Sequence, residues 1–285
     1  MLGDKDRFLS DHSIDEDNYV SSRLDWHDLE TIYSDYRPRV SALRAVGDSV
    51  AKLCRDIDHV HATRSRAKDP ARLIAKIIRR CYKAGNPYIT PSNYLTTVSD
   101  LVGARILHKF KKEWTSIHGF VMKTWEHNEN PTAKVQNGDP DYLIQLYEKN
   151  GCTIEEAEHG YRSVHYLVNQ PMGKSNYQVE IQVRTLFEEA WAECDHAIRY
   201  PELADHDLLS EFMGKMALFA GLSDELSGLA LEFKIIKALE YTASTDEEKL
   251  ELLKAAELFQ DQDETIKKLY EERLRNAYPQ LKVDS

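Results

Sequence analysis

The chain has 285 residues, 42% of them hydrophobic and 30% charged, with a formal net charge of -11. That length buries a full core as one domain with appendages or as two small domains, and the acidic balance argues against unspecific binding to nucleic-acid backbones, which rests on an excess of Lys and Arg. No run approaches the roughly 18 apolar residues of a membrane span, the first residues lack the order of a secretory signal, and Cys54, Cys81, Cys152 and Cys194 form no C-x-x-C pair, so a cytoplasmic protein, most of whose cysteines act as small buried hydrophobes, is expected.

Residues 1–20 are polar and acidic and are expected to be poorly ordered. From residue 24 to 61 the spacing predicts packing helices: Leu29, Ile32, Tyr33 and Tyr36 share a face, Pro38 interrupts, and Val40, Leu43, Val46, Val50 and Leu53 resume it. Residues 64–83, RSRAKDPARLIAKIIRRCYK, form a basic patch. Asp69 before Pro70 reads as an N-cap followed by proline at the first helical position. Leu73, Ile74, Ile77, Ile78 and Cys81 supply a buried stripe, with Arg72, Lys76, Arg79, Arg80 and Lys83 on the other side. From Arg66 to Lys83 seven basic residues stand against one acid, Asp69. A merely solvated helix face in an acidic chain interleaves Glu with Lys, so this run points to a bound polyanion.

Residues 86–97, with Pro87 and Pro91, read as a loop or capped turn. Residues 100–110, DLVGARILHKF, read as a strand with Asp100 at its mouth and Gly103 marking a close backbone approach. A helix at 114–126, a surface loop at 128–141 and a short segment at 142–148 follow. Residues 158–168, EHGYRSVHYLV, read as a strand that puts Tyr161, Ser163 and His165 on one face and Val164, Tyr166 and Val168 on the other. A turn at Pro171-Met172-Gly173 makes a hairpin with the next strand, where Val179, Ile181 and Val183 alternate with Glu180, Gln182 and Arg184. Thr185 and Glu188 have capping-box spacing, and Phe187, Ala190, Trp191, Cys194 and Ile198 predict the buried stripe of the helix behind them. After Pro201 three helices are expected, at 208–219, at 221–242 and from Leu250 onward, as core or subunit interface.

An acid at one strand mouth, an aromatic and a histidine on a second strand, and a carboxylate flanked by Gln and Arg on a third are the parts that nucleotide phosphotransfer needs. Carboxylates hold Mg²⁺, Lys and Arg neutralise polyphosphate, and an aromatic stacks a base. Neither G-x-x-x-x-G-K-[ST] nor G-x-G-x-x-G occurs, so side chains must meet the phosphates.

The motifs RSRAKDPARLIAKIIRR, DLVGARI, GYRSVHYLV and EIQVRTLFEEAWAECDH, in this order, resemble the synthetase domain of the RelA/SpoT family of alarmone (p)ppGpp synthetases, at the size of a single-domain small member. The resemblance implies an α+β fold, a mixed nucleotidyltransferase-like sheet with flanking N- and C-terminal helices. It divides the chain into a tail with packing helices at 1–60, a synthetase core at 61–202 and a C-terminal helical region at 203–285. It implies Mg²⁺-dependent transfer of the ATP β,γ-pyrophosphate to the ribose 3′-hydroxyl of GDP or GTP, making (p)ppGpp and AMP. Asp100 and Glu180 would be catalytic and hold the metal, Glu180 also acting as base. Arg66 and Arg105 would sandwich the adenine of ATP, and Lys68, Lys76 and Arg79 would take its phosphates. Tyr161 would stack on the acceptor guanine, with His165 and Gln182 lining that side.

Terminal helices make a homo-oligomer a further expectation. Toxic relatives use an adenosine nucleotide or the 3′ end of tRNA and pair with an antitoxin protein, which is one alternative; a nucleotide-binding regulator without turnover is another, and the intact Asp100 and Glu180 count against it. The hydrolase domain of bifunctional relatives does not fit in the residues before Arg64. Two departures stand out: Arg72-Leu73 where relatives commonly have Ser-Ile, and an acidic approach to the GYRS strand, TIEEAEHG with Glu155, Glu156 and Glu158, where many relatives have a lysine. Acids beside a polyphosphate are unfavourable by Coulomb's law.

Overall fold

Period-two alternation builds one sheet, and amphipathic helices cover it. The computed structural model describes residues 2–83, 88–127, 129–157, 160–199 and 206–242. The elements begin with α1 (Lys5–Asp11), α2 (Glu16–Ser22), α3 (Trp26–Tyr36), α4 (Val40–Arg55), β1 (Val60–Ala67) and α5 (Pro70–Cys81). Then come α6 (Tyr94–Thr97), β2 (Val102–His108), α7 (Trp114–Thr124), β3 (Thr132–Val135), α8 (Asp141–Lys149) and β4 (Thr153–Glu156). The hairpin β5 (Ser163–Met172) and β6 (Ser175–Thr185) runs into α9 (Leu186–Arg199), and α10 (Asp207–Thr242) follows.

The sheet has six strands in the order β1-β2-β6-β5-β3-β4. β6 is parallel to β2 and antiparallel to β5, and β3 is parallel to β4. Because side chains alternate in direction, the registers Arg64↔Arg105, Arg105↔Gln182, Gln182↔His165 and His165↔Thr132 lay those five side chains in one row across the sheet. A parallel row runs Arg66, Gly103, Glu180, Leu167. The opposite face carries Val102, Ala104, Ile106, Val164, Tyr166, Val179, Ile181 and Val183, all buried.

α5 shows why the basic run from Pro70 onward is a helix. Asp69 Oδ1 accepts from the amides of Ala71 and Arg72, Pro70 starts the helix, and Leu73, Ile74, Ile77 and Ile78 are fully buried. Each such side chain is worth about 1.5–3 kcal/mol of burial.

Several expectations are corrected. Residues 2–20 are not a loose tail: Asp4 and Asp15 cap α1 and α2, and Phe8 and Leu9 enter the same core as the sheet, Phe8 lying edge-on to Trp26 at 5.5 Å. Their polar composition is that of exposed helix faces. The helical reading up to residue 61 stops short, because Val60–Ala67 is a strand whose alternation of small and charged residues hides its character. The supposed loop at 128–141 contains β3, and β4, four exposed or half-exposed residues, has no apolar period to reveal it. On α9 the buried positions are Glu188, Trp191 and Arg199, whereas Phe187 is 39% and Ile198 47% exposed. α10 is one helix of 36 residues, not two. Gly221 does not break it; a Cβ there would come within 3.4 Å of Arg162 Nη2, so the glycine makes room for that guanidinium. Gly103 meets only ordinary van der Waals contacts and is open rather than crowded. The predicted helix from Leu250 onward and Asn86, Pro87 and Glu158 lie outside the described residues. No described helix is long and apolar enough to cross a membrane.

Candidate active site

Glu180 sits on β6, between β2 and β5, with Gly103 and Leu167 as its strand neighbours. Both of its oxygens are engaged. His165 Nδ1 lies 3.2 Å from Oε1, and Gln182 Nε2 donates to Oε2 at 2.8 Å. Burial alone would raise this carboxyl, but the hydrogen bonds from His165 and Gln182 outweigh it and hold the pKa below the usual range. Glu180 is therefore ionised at neutral pH and fixed in direction.

On one side of Glu180 a cavity of about 220 Å³ is lined by Arg64, Arg66, Arg72, Arg105, Asp100 and Glu180, with Glu193 and His196 closing it from α9. Asp100 Oδ2 receives Lys68 Nζ at 2.7 Å and Lys76 Nζ at 2.6 Å. Burial opposes the charge on Asp100, yet the two ammonium groups lower its pKa; the same burial lowers that of Lys68. Asp100 Oδ1 is buried without a hydrogen-bond partner. An orphaned carboxylate oxygen beside a second carboxylate fits Mg²⁺, which takes one or two carboxylates and completes its shell with water and phosphate oxygens. The described residues hold no cluster of three or more His, Cys, Asp or Glu fit for a metal, so phosphate and water would have to complete the set.

On the other side lies a second cavity, about 210 Å³, lined by Glu129, Thr132, Lys134, Glu155, His165 and, again, Glu180. Tyr161 stands two residues before β5, outside the strand in which the sequence reading put it. Its hydroxyl is 2.8 Å from His165 Nε2 and receives Arg184 Nη2, while the Arg184 guanidinium lies 4.7 Å from the ring centroid. Tyr161, His165 and Glu180 thus stand in one hydrogen-bonded row, the imidazole between the phenol and the carboxylate. Arg184, 2% exposed, also donates to Gln182 Oε1 at 2.9 Å and to Glu189 Oε2 at 3.0 Å. Glu189 in turn binds Arg105 Nη1 at 2.8 Å. Arg105 and Tyr161, assigned by resemblance to opposite substrates, are thus linked through Glu189 and Arg184.

Asp100, Glu180, Arg66, Arg105 and Gln182 line the first cavity, with Lys68 and Lys76 on Asp100; His165 lines the second and holds Tyr161. Arg79 is elsewhere, donating to the His12 carbonyl at 2.6 Å. It shares the helix stripe of Arg72 but stands seven residues on, about 10 Å further along the axis. Arg80 likewise binds the Thr97 carbonyl at 3.0 Å. The basic run therefore divides between cavity and scaffold. Sequence reasoning did not single out Arg64, Lys134, Glu189 or Glu193. Arg64 and Arg66 have the i, i+2 spacing of one strand face, a signal lost when residues 64–83 are read as a single basic patch.

Behind the site α10 is clamped to the sheet. Trp191 Nε1 donates to the Met213 carbonyl at 2.8 Å, and Arg162 binds Asp139 and the Ala217 carbonyl at 3.0 Å. Gly160, at φ +91, has no room for a side chain: a Cβ would stand 2.3 Å from Ala217 Cβ. The capping box is present, Thr185 N to Glu188 Oε2 at 2.8 Å and Glu188 N to Thr185 Oγ1 at 3.1 Å. Both of its members also reach buried partners. Lys111 Nζ is 3.0 Å from Glu188 and 3.7 Å from Asp224, and the Thr185 hydroxyl donates to Asp224 Oδ2 at 2.9 Å. Burial raises Asp224 to about 8, while Lys111 and the Thr185 amide hold Glu188 low against the same burial.

A mixed sheet with Glu180 shared between a strongly basic cavity and a second, mixed one, and Asp100 in the first, is a site suited to a polyanion. Residues 65–205, just under half of the chain, match the region found in RelA / SpoT proteins. It is 26% identical over 187 residues to the GTP pyrophosphokinase YwaC of Bacillus subtilis, covering 61% of this chain and 79% of that protein. With GTP pyrophosphokinase YjbM of the same organism the identity is 25% over 184 residues, covering 62% and 75%. The crystal structure of small alarmone synthetase 1 from Bacillus subtilis aligns with 70% of this chain and 94% of its own at 22% identity and a TM-score of 0.47.

Proposed function

We propose that the chain is a GTP pyrophosphokinase that moves the β,γ-pyrophosphate of ATP onto the ribose 3′-hydroxyl of GDP or GTP. The acceptor 3′-oxygen bonds to the β-phosphorus, the bond from that phosphorus to the α,β-bridging oxygen breaks, and AMP leaves. The hydroxyl proton passes to Glu180. The observation that carries this reading is the placement of Glu180: an ionised carboxylate, fixed by His165 and Gln182, that lines both cavities. A base must lie within hydrogen-bond reach of its proton, and a residue shared by two cavities reaches substrates held in each.

The basic cavity is the donor side. Arg66 and Arg105 hold the adenine, Lys68 and Lys76 take phosphate oxygens, and Arg72 adds charge close by. Asp100 and Glu180 would hold Mg²⁺, which supplies charge neutralisation on the phosphate oxygens when bound. Tyr161, backed by Arg184, offers its ring to the acceptor base. The relatives named GTP pyrophosphokinases support this reading.

Purified protein with ATP, Mg²⁺ and GDP or GTP is expected to release AMP in equal amount to a 3′-pyrophosphorylated guanosine nucleotide, resolved by ion-exchange chromatography. Glu180→Gln is expected to abolish release while retaining ATP binding by calorimetry. AMP release at the wild-type rate from that variant removes Glu180 as the base, and no release from wild-type protein with either acceptor defeats the proposal.

A further inference from the structure

We infer that Tyr36, on α3, is a positioning residue of the donor side: its hydroxyl fixes the corner that carries Lys68, and so keeps Lys68 and Asp100 in place when the lysines turn from Asp100 to the phosphates of ATP. This rests on the pyrophosphokinase reading above, in which the donor fills the basic cavity.

Lys68 stands between Ala67, the last residue of β1, and Asp69, the N-cap of α5. It is tied to the neighbourhood of Asp100 in two ways. Between side chains, Lys68 Nζ lies 2.7 Å from Asp100 Oδ2, which Lys76 Nζ also approaches. Between main chains, the Lys68 amide donates to the Leu101 carbonyl at 2.9 Å. Tyr36 acts on the second tie. Its hydroxyl donates to the Lys68 carbonyl at 2.9 Å and stands 3.5 Å from the Leu101 carbonyl. A hydroxyl has one proton to give, so the nearer carbonyl takes it, and Lys68 is held at both its amide and its carbonyl. The ring that carries this hydroxyl is fully buried, on a helix that precedes all four sequence motifs.

The two ties behave differently when the site fills. ATP brings phosphate oxygens for Lys68 and Lys76, and an ammonium group shared with a phosphate holds Asp100 less tightly. The ion pairs therefore weaken just as Asp100 has to face the incoming charge. The main-chain tie uses neither ammonium group and persists. Losing the Tyr36 hydroxyl is thus masked by the ion pairs in the empty protein and felt in the loaded one. One such hydrogen bond corresponds to about three- to tenfold in an equilibrium constant.

The test sets Tyr36→Phe against Tyr94→Phe. Both rings are buried, 6.3 Å apart and edge-on, and each variant loses one hydroxyl, but that of Tyr94 donates to Asp35 Oδ2 and not to the corner. Calorimetry gives the ATP dissociation constant at one free Mg²⁺ concentration, AMP release gives KM for ATP and for GDP, and a thermal scan gives the melting temperature. Tyr36→Phe is expected to raise the dissociation constant and KM for ATP about three- to tenfold, with KM for GDP within about a factor of two of wild type. Tyr94→Phe is expected to leave all three constants within about a factor of two, and the melting temperatures of the two variants are expected to lie within a few degrees of each other. An unchanged ATP dissociation constant in Tyr36→Phe, equal shifts in KM for ATP and GDP, an equal loss in Tyr94→Phe, or failure of Tyr36→Phe alone to fold overturns the inference, because each assigns the hydroxyl to packing. Wild-type protein that binds ATP but releases no AMP with GDP or GTP defeats the pyrophosphokinase reading by itself, and the calorimetric comparison still decides the role of Tyr36.

Discussion

Two lysine–carboxylate clusters stand at opposite ends of the site, and they are built in inverse proportion. At the mouth of β2 two lysines meet one aspartate, and one oxygen of that aspartate is left without a partner. Beneath α10 one lysine meets two carboxylates, Glu188 and Asp224. The first cluster borders a cavity and has cation to spare, and its aspartate has a lowered pKa. The second is closed to solvent, Asp224 being 0% exposed, and lacks a positive charge, which a proton on Asp224 makes good. Excess cation at an opening is of use only when an anion arrives. A deficit in a sealed interior is settled within the fold and serves to fix α10.

If this contrast holds, breaking the sealed cluster costs stability and breaking the open one costs turnover. Lys111→Met leaves the Glu188 charge buried and unpaired, a change worth about 3–5 kcal/mol. The melting temperature is expected to fall by about 6–20 °C in a calorimetric scan, and a shift of under two degrees would show that water reaches the cluster. Asp100→Asn keeps the shape of the open cluster but removes its charge. AMP formation is expected to drop about 10²–10³-fold with the melting temperature within a few degrees of wild type; retained turnover would take Asp100 out of the reaction.

The remaining effect is one of pH. Asp224 has a raised folded pKa, so the folded state binds a proton that the unfolded chain gives up near pH 4. The associated stability is fully present below pH 4 and is lost as pH rises towards about 8, with a slope of at most about 1.4 kcal/mol per pH unit. Asp224→Asn carries no such proton. Its melting temperature is expected to rise relative to wild type between pH 6 and 9 and its pH profile to flatten; parallel profiles would assign the proton to another group.

Much of the site is legible in the amino-acid sequence, because it depends on patterns that local physics enforces. The Asp69-Pro70 helix start, the alternation around Glu180 and His165, and the Thr185–Glu188 capping box each need only near neighbours, and each appears in the fold. Long-range pairing is not legible in this way. Nothing near Lys134 announces its ion pair with Glu155, because their meeting depends on a parallel pairing of two short strands on either side of α8. Lys111, Glu188 and Asp224 come from three separate elements, and Asp224 lies in a helix whose apolar spacing suggests only packing. The exposed Phe187 and Ile198 mislead for a related reason: the buried face of α9 is set by α10 and by charged partners, and a hydrophobic stripe alone does not report those.

Gly160 and Ala217 touch across a gap of 56 positions in the chain, and this has a consequence for the order in which the molecule is made. The strand carrying Glu180 is fully synthesised at Thr185, well before the residues that press on the Gly160 turn. Until Ala217 has left the ribosome, Arg162 lacks its carbonyl partner there and Trp191 lacks the cover of Met213 and Ala217. Tyr161, between Gly160 and Arg162, therefore sits in a turn whose packing is completed only by α10. A nascent chain ending before α10 carries the donor-side arginines without a finished seat for the acceptor.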